Sequence, residues 1–253
     1  MNGSVYGMFC RYSSDLCKKT SFRRFGGTTA CVKNDILYSF SLKRMSNNTY
    51  TVEFGVRPLC GKLLFVEAGD FDVSDFFENG QLNAVSIEEI WPCITTIVLP
   101  FFDNCENAGS ALRSTICMYH QIEKKRQEYL TLNHISDRAW PIEKRIYYDE
   151  SVFGFAMKSL DFETMIKSLS IKLSIAESKI DLFSNGYSEY LTEADLDMAE
   201  SYKNKKEQEE KNYRYLKLLF DKAQNRDVGF FCDEIVKREE ESKKRLPKKL
   251  WAC

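Results

Sequence analysis

Five carboxylates fall within twelve residues at Glu67, Asp70, Asp72, Asp75 and Glu78, and an oxygen-rich loop of that kind could hold a divalent cation. The spacing departs from a calcium loop: counted from Asp70, the sixth position is Asp75 where glycine is needed, and the twelfth is Gln81 where a bidentate glutamate should stand. The enzymatic reading of the segment is Mg²⁺-dependent chemistry on diffuse carboxylates, and the plain reading is an exposed acidic loop. Phenylalanines stand among the acids, and aromatic rings interleaved with charge offer a basic protein both apolar contact and electrostatic steering. Asp70, Phe71, Asp72, Asp75, Phe76, Phe77 and Glu78 are therefore the candidate protein-binding residues.

Two cationic segments offer different chemistry. Arg23-Arg24-Phe25-Gly26-Gly27 could cradle a phosphate, since glycine permits close backbone approach and arginine forks match phosphate oxygens. It has no Walker lysine and no strand leading into it, so a tight turn beside a sheet is the simpler expectation. The densest basic cluster is Lys243, Lys244, Arg245, Lys248 and Lys249, with Trp251 able to stack on a base, and these six are the alternative nucleic-acid-binding residues. Glu239 to Glu241 dilute the field of that cluster, and cations also suit a helix C-terminus.

Nucleophilic or metal chemistry finds little material. His120 and His134 are the two histidines, and neither sits in a recognisable catalytic setting. The nine cysteines are scattered at 10, 17, 31, 60, 93, 105, 117, 232 and 253 without a C-x-x-C pair, so neither a zinc site nor a disulfide framework is expected. G-x-S-x-G, H-E-x-x-H, G-x-G-x-x-G and P-loop patterns are absent. No catalytic residue, no metal and no cofactor is assigned.

The elements that must position these groups follow from periodicity. Ile36, Tyr38, Phe40 and Leu42, then Tyr50, Val52, Phe54 and Val56, alternate with smaller or polar residues, the period of half-buried strands. Thr28 to Lys33 reads as a first strand, Asn34-Asp35 as a two-residue turn, and Leu63 to Glu67 as a further strand. A short helix through Phe9, Tyr12 and Leu16 precedes them. Ser86 and Glu89 form a capping box opening a helix that Pro92 should bend and Pro100 should end, and a second helix spans Ala111 to Leu130. From Tyr148 onward the pattern is helical, with Ser159-Leu160-Asp161 joining two helices, Asn185-Gly186 marking a turn, and one long helix carrying Tyr190, Ala194, Met198, Tyr202, Tyr213, Leu216 and Phe220. The charged run Lys203 to Lys211 reads as a solvated helix segment laced by Lys–Glu pairs. The fold class is α+β: an antiparallel β-sheet with covering helices over residues 1–150, followed by an all-helical C-terminal region over 151–253.

Composition bounds the partners. The 253 residues are 43% hydrophobic, enough for a substantial core, and 36 basic residues nearly cancel 37 acidic ones, so no global charge draws the chain to nucleic acid or an anionic membrane. Residues 1 to 11 lack the basic flank and sustained apolar run of a signal peptide, and no window reaches the ~18–20 apolar residues of a membrane span. A cytoplasmic location without membrane partners is the expectation.

Phe22 to Gly26, the strand Ile36 to Leu42, Tyr50-Thr51-Val52-Glu53-Phe54-Gly55-Val56 and Leu99-Pro100-Phe101-Phe102-Asp103 together resemble an uncharacterised bacterial family, domain of unknown function 4304, over roughly residues 10 to 130. The resemblance brings no catalytic residue with it. With the missing motifs, it implies a non-enzymatic bacterial protein-binding module of the toxin-neutralising (immunity) or phage-defence accessory type. The alternatives are a nucleic-acid-associated protein using the basic tail and a Mg²⁺-dependent enzyme using the acidic loop.

Overall fold

The computed structural model describes residues 4–45, 48–61, 71–76, 84–137, 139–192 and 195–250. A five-stranded antiparallel meander lies at its centre: β1 (Arg23–Phe25), β2 (Thr28–Lys33), β3 (Ile36–Arg44), β4 (Tyr50–Pro58) and β5 (Phe71–Asp72), each paired with the next. The Asn34-Asp35 turn has both residues at positive φ, the conformation a two-residue hairpin demands and one that Asn and Asp tolerate. Arg23–Phe25 is a strand, and the turn expected over the whole arginine-glycine segment is confined to Gly26-Gly27, where Gly26 takes φ +62°. Sequence alternation misses β1 because three residues are too few to show a period. The strand expected at Leu63 to Glu67 lies outside the described residues.

Register brings Cys31, Tyr38 and Val56 into one row of the front face and Phe40, Phe54 and Phe71 into another. Tyr38, Phe40, Phe54 and Phe71 are all buried. They are covered by α1 (Val5–Lys19) through Phe9, by α2 (Ile87–Cys93) through Ile87 and Ile90, and by α3 (Leu99–Asp103) through Phe101 and Phe102. The Ser86–Glu89 capping box is present at the start of α2. Pro100 does not end the helical segment as expected. Ile94–Val98 forms a wider π turn between α2 and α3, with the Leu99 amide bonding Ile94 O, and Pro100 sits in the first turn of α3. Each proline removes one amide from the ladder, and the wider turn between them carries the chain on, with the Thr95 and Thr96 hydroxyls both donating to Pro92 O.

α4 (Ala108–Leu132) and the short helix α5 (Ile142–Tyr148) lead to α6 (Glu150–Lys158). Every residue from Ser151 to Met157 is buried, so α6 is enclosed on all sides. α7 (Phe162–Thr192) and α8 (Leu196–Gln224) form an antiparallel hairpin, and α9 (Val228–Arg245) closes the helical set. Asn185-Gly186 is not a turn: it lies inside α7, and Gly186 is buried where the Tyr202 ring packs so closely that a Cβ would fall 2.4 Å from it. The expected single long helix therefore divides, with Tyr190 on α7 and Met198 to Phe220 on α8, while Ala194 lies outside the described residues.

The back face of the sheet carries a second, small cluster of Ala30, Leu37 and Leu59, covered by Leu246 and Leu250 from the segment after α9. Ions tie the same region together: Lys158 at the end of α6 bonds both Asp35 of the β2–β3 turn and Glu239 of α9.

Where α6 crosses the end of β4, a Cβ on Gly154 would lie 2.6 Å from Pro58 Cγ and 3.1 Å from Gly61 Cα. Gly154→Ala is predicted to destabilise the fold by ~1–3 kcal/mol through overpacking, read as a lower urea midpoint with unchanged slope. An unchanged midpoint would show that α6 can shift away from β4 at no cost.

Candidate functional site: a helical arm and the charged cleft at its root

The acidic loop is partly built into the fold. Phe71 is 3% exposed and stacks among Phe54, Phe101 and Tyr119, so its ring faces the core and not a partner. Phe76 leans on Phe54. Asp72 accepts from the Thr51 hydroxyl and from both the amide and hydroxyl of Ser74, at 2.9 and 2.7 Å, which fixes the one-turn helix Val73–Phe76. Burial, with the neighbouring Asp72 charge, pushes the Asp75 carboxyl above the usual range. Glu67, Asp70, Phe77 and Glu78 lie outside the described residues.

The basic tail divides in the same way. Lys243 pairs with Asp35 at 3.7 Å, Lys244 and Lys248 are exposed, and Arg245 reaches the rim of a cleft described below. Leu246 and Leu250 bury themselves against the sheet, so the tail is anchored and not a free strand. The Lys249 side chain and Trp251 lie outside the described residues. His120 is exposed on α4 and His134 is exposed in the turn that follows that helix. Burial pushes the Cys60 and Cys105 thiols up to about 12, which keeps them protonated and poorly nucleophilic at neutral pH. Among the described residues no three His, Cys, Asp or Glu side chains gather to hold a metal, and no helix is long and apolar enough to cross a membrane.

Two features that sequence reasoning did not single out are more distinctive. The first is the hairpin of α7 and α8. The main core takes Met165, Ile166 and Leu169 from α7 and Leu216, Leu219, Phe220 and Ala223 from α8, with no described residue between Leu169 and Leu216. The outer part is a self-contained arm: Phe183 and Tyr190 close on Tyr202, with ring centroids 6.2 and 5.3 Å away, and Gly186 gives the ring room. Sixteen residues of α7 follow Ala176, which at 1.5 Å rise per residue is about 24 Å of helix. Between Lys179 and Lys203 the sequence carries Asp181, Glu189, Glu193, Asp195, Asp197 and Glu200 and no cation. At the tip Leu191, Leu196 and Met198 are 45, 69 and 38% exposed.

The second feature is a cleft of about 360 Å³ at the root of the arm, bounded by α6, α7, α8 and α9. Lys172 of α7, 6% exposed, donates to Tyr148 O and to Glu150, both at 2.7 Å. From α9, Arg238 donates through Nε to Glu234 at 2.7 Å and through Nη2 to the Tyr215 hydroxyl at 2.6 Å, and that hydroxyl in turn donates to Glu234. Burial drives the Glu234 carboxyl upward, but the Tyr215 hydroxyl and the Arg238 guanidinium outweigh it and hold the group below its usual range. Tyr215 and Glu234 in turn keep Arg238 charged despite its own desolvation. Only the four-residue spacing of Glu234 and Arg238 on one helix face is visible in the sequence; Lys172 and Tyr215 arrive from other helices.

No family model matches the chain, and neither curated proteins nor solved structures give a match to it. What the chain does is therefore read from its own geometry.

Two outcomes follow from these contacts. Asp72→Lys removes an acceptor from Thr51 and Ser74 and should cost about 1–3 kcal/mol, seen as a lower thermal midpoint; an unchanged midpoint would mean that Asp72 is free to serve at a surface. For Glu234, the folded carboxyl lies below its ordinary value of 4.5, so the stability it supplies is complete above that value and is lost as pH falls through the depressed one. Glu234→Gln should lower stability at pH 7 and flatten the acid side of the stability profile, measured by denaturant melts across pH 2–7. A parallel profile displaced by a constant amount would contradict this.

Proposed function

We propose that the protein is a protein-binding module that engages a basic partner through the tip of the α7–α8 arm. The observation that carries this reading is the tip itself: Leu191, Leu196 and Met198 stand open to solvent at the end of a hairpin whose interior is already filled by Phe183, Tyr190 and Tyr202. Single exposed leucines are ordinary. Three exposed apolar side chains near the ends of α7 and α8, in a stretch with six carboxylates and no cation, combine the desolvation energy and the steering field that a cationic protein surface would use.

In the acidic loop Phe71 is packed into the core and Asp72 is bonded within a turn, which supports placing the contact on the arm. The nucleic-acid reading is weakened by the anchoring of the tail through Leu246 and Leu250 and by the Lys243–Asp35 pair. A toxin-neutralising or phage-defence accessory role, implied by the bacterial resemblance, suits a module whose task is to occlude a basic partner.

The experiment is capture from the native host by the full chain and by a Leu191→Ser, Leu196→Ser, Asp197→Lys variant. Because all three positions are exposed, the variant should keep the wild-type circular dichroism and melting curve. The expected result is a basic protein retained by the wild type and lost by the variant, with an association rate falling about tenfold or more between low and physiological salt. Retention of the same partner by the variant would overturn the arm as the contact.

A further inference from the structure

We propose that the cleft at the root of the arm is a binding site for a small phosphate-bearing molecule. It is separate from the acidic tip and draws on different residues. Two cations converge on one aromatic floor: Lys172 Nζ and Arg238 Cζ each lie 5.9 Å from the centroid of Phe153, a residue 2% exposed. Both cations are fixed from behind. Lys172 uses two of its three N–H bonds on Tyr148 O and Glu150, and Arg238 uses Nε and Nη2 on Glu234 and Tyr215. Among the described residues Arg238 Nη1 donates to nothing. An ammonium and a guanidinium, each held by other bonds and each keeping a donor in reserve, present a rigid pair to an anion with several oxygens, and the planar fork suits phosphate geometry.

The rim adds to the same charge. Lys237 and Arg245 of α9 line the opening, and Lys237 is exposed with no hydrogen bond or ion pair to a described residue. Three glutamates, Glu150, Glu234 and Glu241, also line the cleft, and Glu150 and Glu234 are committed to Lys172 and Arg238. The lining thus carries four cationic side chains, Lys172, Lys237, Arg238 and Arg245, to three carboxylates, and the paired carboxylates serve to orient the cations. A second hollow of about 350 Å³ shares Glu150, Lys172, Asn212 and Leu216 with the first, so the space extends along the α7–α8 groove. Each hollow falls in the range of small-molecule sites, large enough for a phosphate with an organic group attached.

The test is calorimetric titration of the full chain with pyrophosphate, adenosine monophosphate and succinate at fixed ionic strength, with the shift of the thermal midpoint as a second readout. The expected result is saturable binding of the phosphate probes, a raised midpoint, and affinity for succinate at least about tenfold weaker. Lys237→Glu, at an exposed position with no structural bond, should leave the unliganded midpoint unchanged and weaken the phosphate probes about tenfold. Arg238→Lys keeps the charge but loses the fork and should weaken them further. Absence of any heat or midpoint shift with the phosphate probes, equal affinity for succinate, or undiminished binding by Lys237→Glu would each overturn the assignment.

Discussion

The enclosure of α6 is the constraint on which the rest of the molecule depends. A nine-residue helix has little stability alone, yet Val152, Phe153, Phe155 and Met157 are at most 2% exposed. Each such side chain contributes roughly 1.5–3 kcal/mol when fully buried, so this one helix supplies an amount comparable to the net stability of a whole domain. It can do so only while neighbours surround it. β4 meets it at Gly154, α4 and α5 flank it, and α7 and α9 cover what remains. Sheet and C-terminal helices are therefore joined by a shared interior: one buried cluster runs from Phe9 to Phe231.

Much of this was legible in the sequence because it obeys local rules. Alternation from Ile36 to Val56 located β3 and β4, Asn34-Asp35 marked their hairpin partner, and the Ser86–Glu89 box marked the start of α2. The failures came where a distant contact decided a local choice. Asn185-Gly186 has the composition of a turn, but the glycine is there to admit the Tyr202 ring from α8. Pro100 has the composition of a stop, but the π turn before it relieves the crowding a regular helix would suffer. The acidic loop was visible as chemistry, whereas the commitment of Phe71 to the core was not, since solvent exposure is a property of the folded chain. The cleft was invisible for the same reason: Lys172, Tyr215 and Glu234 are far apart in the chain and belong to three helices.

The arm and the cleft illustrate two ways of handling charge. At the tip, carboxylates stand in water where each costs little and acts at long range, limited by salt screening. In the cleft, Lys172, Glu234 and Arg238 are largely withdrawn from water, a state tolerable only because each finds an opposite charge or a hydroxyl within bonding distance. The first arrangement is suited to finding a partner and the second to holding groups in fixed positions. The arm is the outward continuation of α7 and α8, which also line the cleft beside α6 and α9, so the rigidity of the root sets the direction in which the tip is presented.

The small cluster behind the sheet has a consequence for the making of the protein. Ala30 and Leu37 emerge from the ribosome early, but the residues that cover them, Leu246 and Leu250, follow some two hundred positions later. At a translation rate of about 5–20 residues per second, the interval is roughly 10–40 s. Throughout it, an apolar strip on a completed hairpin has no cover, and the nascent chain must be kept from pairing with its neighbours on the same message.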